Sequence, residues 1–424
     1  ALWVKVLIGL VLGVIVGYII HHPLANVLLS MGAIDSIEEY KTADYTRYLL
    51  PLGTIFINLV KMVIPPLIFF SLVSAITNMV NSSNMSKIGL KSVLAYLGTA
   101  CFAVVIGLGA GIIFEPGKGV ELHMEKSTFQ IPTDGPKDFL EMIISIFPHN
   151  AIGAMAEGKI LQIVVFSLFA GFTINLIRDK VPNLLVLINE FAQFSFKMIE
   201  LIVKLSPIGV FGFMSWMIGE KGLAIVGSLG KLFSVVLVAC FFQYLIFGLI
   251  IKFFGKVSPL PFYKKMIEPQ TLAFSTSSSK AALATTMKTL KEKMGVSETS
   301  ANFVLPLGAS MNMDGTAIYL GICALFFAQA TDVVLGMHDY VMLIFTCTIA
   351  SIGAAGIPSG SIIFMGMVLN SVGIPIEYIA IILGIDRVLD MFRTTVNITG
   401  DACITLTIDS TEKQLDEKVY YSKS

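Results

Sequence analysis

The chain has 424 residues, 55% of them hydrophobic and 14% charged, with 29 lysines and arginines balancing 29 aspartates and glutamates. A soluble domain carries about 25% charged residues, so this composition excludes an ordinary soluble protein and points to a polytopic membrane protein. The formal net charge of zero excludes a nucleic-acid-binding footprint.

Hydropathy predicts apolar spans near 2–20, 47–75, 90–114, 139–178, 183–218 and 223–254. At about 1.5 Å per residue, such runs are long enough for a hydrocarbon core of about 30 Å. The first has no small-residue cleavage site and reads as a retained helix rather than a signal peptide. Lys87 and Lys91, then Arg178 and Lys180, then Lys252, Lys256, Lys264 and Lys265 follow the second, fourth and sixth spans. The loops after the first and third hold Glu38, Glu39, Asp44, Glu115, Glu121 and Glu125 beside fewer cations. Because cations decide orientation, both termini are expected on the cytoplasmic side. The five cysteines (Cys101, Cys240, Cys323, Cys347 and Cys403) lie in apolar context without metal spacing and read as small buried hydrophobes.

The pattern changes after residue 255. The stretch "FSTSSSKAALATT" is too polar for a spanning core, yet apolar arms flank it. An apolar helix over roughly 298–330 follows, interrupted by "NMDGT". A second break, "SIGAAGIPSGS", again lies between apolar arms, and then comes "DRVLDMFRTTVNITGDACITLTI". The order is broken hairpin, polar-centred helix, broken hairpin, polar-centred helix. Two interrupted apolar segments in matching positions are a sequence pointer to a secondary-transporter site. Irregular backbone at membrane depth is tolerated only where it is buried in protein or lines a hydrated cavity.

On a helix, Asp386, Asp390, Arg393, Thr394, Asn397 and Asp401 are separated by 4, 3, 1, 3 and 4 residues and share one stripe. Each central Asp or Arg costs about 2.5–3.5 kcal/mol to insert, against roughly 0.3–0.6 kcal/mol gained per Leu or Ile. The stripe must therefore face protein or water, and such groups mark a functional site by default. An ion-pair network that only joins helices accounts for Asp390 and Arg393. It leaves Asp314, Asp401 and the two broken segments unexplained.

"NMDGT", the serine-rich "STSSS" and "LDMFRTTVNITGD" together resemble the glutamate/aspartate transporter family, the dicarboxylate/amino acid:cation symporters. The likeness extends along nearly the whole chain, through "VKMVIPPLIFFSLVSAI" and "SPIGVFGFM". It implies an all-α membrane protein of eight transmembrane helices and two re-entrant hairpins, with inverted repeats, assembled as a homotrimer and working as an elevator. Scaffold helices would then occupy 1–75 and 115–218, and a transport domain 76–114, 219–254 and the core 255–424. The implied activity is symport of aspartate or glutamate with two or three sodium ions across the plasma or inner membrane. The chain would not be an enzyme.

An acidic amino acid presents an ammonium and two carboxylates. Arg393 offers a planar fork to the side-chain carboxylate, and Asp390 can take the ammonium. Asn397 and Thr394 can bind the α-carboxylate and main-chain groups. The resemblance adds Thr316, the backbone around Ser277, Ser278 and Ser279, and a second tip from Ile357 to Ser361. For sodium, a hard cation that prefers oxygen, Asp401, Asn312, Asn397 and the Gly308 carbonyl resemble one family site. Ser310, Met313 and the carbonyls of Ser351, Ile352 and Ala354 resemble a second. Tyr96, Thr99, Asn312 and Asp314 resemble a third. There are departures from the family pattern. Ala100 stands where archaeal members have a serine, and Ser277 where they have an arginine at the first tip. Met391 stands where animal members carry an arginine, and Leu320 where they carry a glutamate linked to proton transport. Ser361 replaces a glycine. Lys280 is a new cation, expected either to snorkel to cytoplasmic water or to pair with an acidic group of the pocket.

Other readings remain beside this one. A proton-coupled glutamate carrier or a C4-dicarboxylate carrier is close by, although Asp390 argues against plain dicarboxylates, which bring no ammonium. An intramembrane serine hydrolase is suggested by "GIPSGS", but His21, His22, His123, His149 and His338 fall in loops or at span ends, away from a serine that needs a base. A passive anion channel lacks its ring of cations.

Overall fold

The computed structural model describes residues 2–21, 23–32, 47–79, 86–120, 144, 147–353 and 360–422, and among these every regular element is helical. The N-terminal part comprises α1 (Leu2–His21), α2 (Pro23–Ser30), α3 (Leu50–Met79), α4 (Ser86–Phe114), α5 (Ala151–Ala156), α6 (Ile160–Leu176), α7 (Pro182–Val203), α8 (Ser206–Lys221) and α9 (Ala224–Phe253). The C-terminal part comprises α10 (Pro259–Lys265), α11 (Ile267–Thr276), α12 (Ser279–Lys288), α13 (Glu298–Met311), α14 (Asp314–Ala330), α15 (Met337–Gly353), α16 (Gly360–Ser371), α17 (Ile379–Thr411) and α18 (Glu417–Tyr421). In hydrocarbon a helix is favoured because it satisfies its own backbone. Among the described residues five stretches are long and apolar enough to cross a membrane: Val4–His21, Leu50–Ser74, Lys87–Phe114, Val226–Phe253 and Glu298–Ala330. Pro182–Ile202 and Ser206–Gly219 make a sixth if taken as one span bent by 49°.

Two groups of helices are held by different packing. In the first, α1 lies along α8, and α3 packs on α6, α7 and α8. The α1–α8 approach depends on small residues. A Cβ on Gly13 would stand 2.7 Å from Met214 Cβ and 2.9 Å from the Phe211 carbonyl oxygen, so only glycine lets the backbones come this close. In the second group α14 lies against α4 and α9, and α17 packs on α9, α11, α13 and α14. Of the 17 residues of α14, all but Gln329 are buried. The polar stripe of α17 is therefore turned into protein, as its insertion cost requires.

The breaks have local causes. Ser277 takes a left-handed conformation (φ 51°) and closes α11, with its N–H donating to the Ala273 carbonyl at 2.8 Å. Ser278, extended, then starts α12, its Oγ accepting from the Ala281 N–H at 3.3 Å. Between α13 and α14, Asn312 (φ −103°, ψ 101°) and Met313 (φ −125°, ψ 57°) leave the helical region. Hairpin arm α11 is tied to its neighbours by Gln270, whose Nε2 donates to Thr399 Oγ1 on α17 at 3.0 Å and to the Tyr244 hydroxyl on α9 at 3.1 Å. The second break, 354–359, lies outside the described residues, together with Ala354 and Ile357.

Candidate functional site

Two polar clusters converge on α17. The first is built around Arg393, which is fully buried. Its Nη2 donates to Asp386 Oδ1 at 2.9 Å and to Asp390 Oδ1 at 3.0 Å. The guanidinium lies 4.0 Å from the ring centroid of Tyr319 on α14, a cation–π contact made stronger by the dry surroundings. Ser361, at the start of α16, donates to Asp386 Oδ1 at 3.3 Å. Arg387, one turn from Asp390, donates from Nη1 to Asp390 Oδ2 at 3.3 Å. Arg393 Nε and Nη1, Arg387 Nε and Asp386 Oδ2 are buried polar atoms without a hydrogen-bond partner. Thr394 and Thr316 are buried, as are the tip serines Ser277 and Ser279, while Ser278 is half-buried at its cap position.

The second cluster surrounds the α13–α14 break. Asn312 Nδ2 donates to Asp401 Oδ1 at 3.1 Å, and Thr99 Oγ1 on α4 donates to Asn312 Oδ1 at 3.3 Å. Asn397 caps the start of α14, its Oδ1 accepting the Gly315 N–H at 2.8 Å while its Nδ2 meets the Met313 sulfur at 3.1 Å. Gly308 lies in the same contact shell: a Cβ there would fall 2.5 Å from the Tyr96 hydroxyl oxygen and 2.8 Å from Asp401 Oδ1. Tyr96 donates its hydroxyl to the Val304 carbonyl at 2.9 Å. Asp314 is fully buried. Its Oδ2 accepts from Gln243 Nε2 on α9 at 3.0 Å, and its Oδ1 has no partner. Among the described residues no three His, Cys, Asp or Glu side chains gather as a metal cluster. The donors here are single carboxylates with amide, hydroxyl and carbonyl oxygens, a set suited to a hard cation.

Several expectations come out differently. The stripe divides: Asp386 and Asp390 serve Arg393, whereas Asn397 and Asp401 serve the break. Asn397 is engaged at both ends of its amide, leaving one lone pair on Oδ1 for any ligand. Each Asp390 oxygen already faces a guanidinium, so part of its negative charge is compensated within the protein before any ammonium arrives. Ser310 Oγ turns back to the Pro306 carbonyl at 3.0 Å, and Ser351 Oγ to the Thr348 carbonyl at 2.7 Å. Ser351 is buried and Ile352 half-buried on α15, which packs against α13. Lys280 is exposed at the first turn of α12, its Nζ lies 4.3 Å from the ring centroid of Phe196 on α7, and among the described residues no ion pair joins it to a pocket acid. Met391 and Leu320 are buried. His21, at the end of α1, donates from Nδ1 to the Gly219 carbonyl at 2.8 Å, a link between helices rather than a catalytic base. Three participants were missed in the sequence. Gln243 and Tyr319 each sit in apolar runs, where a lone amide or phenol was the available signal. Arg387 lay off the stripe defined by spacing alone.

Across residues 2–411 the chain matches the family described as the sodium:dicarboxylate symporter family. It belongs to that family. Members are transporters, not enzymes. The chain is 32% identical over 405 residues to the proton/sodium-glutamate symport protein of Bacillus subtilis (strain 168), covering 94% of this chain and 90% of that protein. It is 31% identical over 422 residues to the C4-dicarboxylate transport protein of Rhodospirillum rubrum, covering 98% and 89%. A C4-dicarboxylate transport protein of Pseudomonas chlororaphis is 34% identical over 376 residues, covering 87% and 84%. The symporter family thus spans amino and non-amino diacid carriers at similar distances from this chain.

Proposed function

We propose that the protein is a sodium-coupled symporter of an acidic amino acid, aspartate or glutamate, in the plasma or inner membrane. The observation that carries this is the pairing of two sites on one helix. Arg393 keeps buried N–H donors for a carboxylate, while Asp401, about two turns along α17, and Asp314, at the start of the neighbouring α14, are buried carboxylates with no cation in hydrogen-bonding contact among the described residues. Holding a carboxylate out of water without a counter-cation costs several kcal/mol, and a bound sodium ion offsets that cost. Two or three co-transported ions fit the donor groups around Asp401, around Asp314 and along α13–α15.

Substrate and ions would meet α17 between the two hairpins and cross as cargo of the helices that pack with it. The transport body then comprises 76–114, 219–254 and 255–424, moving against a scaffold of 1–75 and 115–218. Eight transmembrane helices, a homotrimeric assembly, an elevator motion and cytoplasmic termini complete this reading. Proton coupling is the second reading, supported by the name of the Bacillus subtilis relative, a proton/sodium-glutamate symport protein; against it stands Leu320, which cannot ionise. The test is equilibrium binding of aspartate in sodium and in choline media. Affinity that rises with sodium supports the reading, and equal affinity in both media overturns it.

A further inference from the structure

We propose that Arg387 is a specificity-determining residue: it occupies Asp390 as a built-in counter-cation where a substrate ammonium would otherwise be needed, so that the site accepts C4-dicarboxylates without an amino group as well as amino diacids. This rests on the acidic-substrate reading above and deepens it.

The geometry assigns the role. Asp390 presents one oxygen to each of two guanidiniums, Oδ1 to Arg393 at 3.0 Å and Oδ2 to Arg387 at 3.3 Å. Both contacts are buried or nearly so: the Arg387 side chain is 12% exposed and that of Asp390 9%. Four charged groups face one another here, Asp386 and Asp390 against Arg387 and Arg393, and their formal charges cancel. Tyr319 from α14 and Ser361 from α16 also touch the cluster and carry no charge at neutral pH. Without Arg387, two carboxylates would share one guanidinium, and the surplus negative charge would oppose a dianion such as succinate. An amino diacid brings its own ammonium and would correct that surplus. With Arg387 in place the correction is already made. The Arg387 contact is the longest of the three guanidinium–carboxylate contacts, so an arriving ammonium displaces it more readily than it displaces Arg393.

The test is binding of succinate and of aspartate, in saturating sodium, to the full chain and to Arg387→Gln, Arg387→Lys, Asp390→Asn and the double variant Arg387→Gln/Asp390→Asn. Thermal unfolding in the same detergent monitors folding. Wild type is expected to bind both ligands. Arg387→Gln should weaken succinate by about tenfold to a hundredfold, the range of one charge-assisted hydrogen bond, with aspartate unchanged or tighter. Arg387→Lys keeps the charge and should retain succinate. Removing both charges in the double variant should restore succinate relative to Arg387→Gln and weaken aspartate, as Asp390→Asn alone does. Parallel loss of both ligands in Arg387→Gln, or no recovery in a folded double variant, overturns the proposal. Wild type that binds aspartate in a sodium-dependent way but not succinate overturns this inference alone. Wild type that binds neither overturns the acidic-substrate reading and takes this inference with it.

Discussion

Replacing Arg393 by cysteine perturbs the site at a fully buried charge. Nη2 is already committed to Asp386 at 2.9 Å and Asp390 at 3.0 Å, so a substrate carboxylate relies on Nη1 or Nε, the atoms without a partner. One charge-assisted hydrogen bond there is worth about 1.5–3 kcal/mol, or roughly tenfold to a hundredfold in Kd. Arg393→Cys should weaken aspartate and succinate by at least that factor, while serine and alanine gain relative to aspartate. Arg393→Lys should not restore binding, because a point charge cannot hold two aspartates and a substrate in one plane. The same change strands Asp386, and breaking a buried pair costs about 3–5 kcal/mol of stability. Asp386→Asn in the Arg393→Cys background removes the stranded charge and separates folding from selectivity. The assay is calorimetric titration with aspartate, serine and succinate, alongside thermal unfolding. A folded Arg393→Cys protein that still prefers aspartate over serine would refute the reasoning and leave Arg393 as a structural partner of its two aspartates.

Asp401→Asn should flatten the dependence of substrate affinity on sodium, because Asp401 Oδ1 meets Asn312 and the Gly308 shell; titrating sodium at fixed substrate checks this. Gly308→Ala should weaken sodium-dependent binding with little change in expression, since its Cβ would stand 2.5 Å from the Tyr96 hydroxyl oxygen and 2.8 Å from Asp401 Oδ1. Gly13→Val should lower the unfolding temperature in detergent by forcing α1 off α8, a loss visible before any change in substrate affinity of the surviving protein. Collapsing the pH gradient at fixed sodium and voltage should leave uptake intact, because buried Leu320 carries no proton; abolished uptake would point to another proton carrier.

Much of this organisation was legible in the sequence because insertion cost is harsh. Polar residues in an apolar chain must be turned inward, and the spacing from Asp386 to Asp401 placed them on one helix. The breaks at Ser277–Ser278 and Asn312–Met313 were legible for the same reason, since small polar residues interrupt apolar arms there. What spacing could not reveal is which partners each charge finds across helices. The stripe placed Asp390 one turn from Arg393 but left out Arg387, whose long side chain reaches Asp390 along the same helix. Gln243 contacts Asp314 across 71 residues of chain, and no periodicity carries that information. Lys280 is exposed, and the aromatic face of Phe196 on α7 that lies beside it could not be read from spacing.

The central claim is that sodium moves with an acidic substrate. The most direct measurement is uptake of labelled aspartate into liposomes containing the purified protein, with inward sodium and proton gradients imposed separately at fixed voltage. Accumulation driven by the sodium gradient, and absent with the proton gradient alone, is the expected result. Accumulation sustained by protons in sodium-free medium would contradict it.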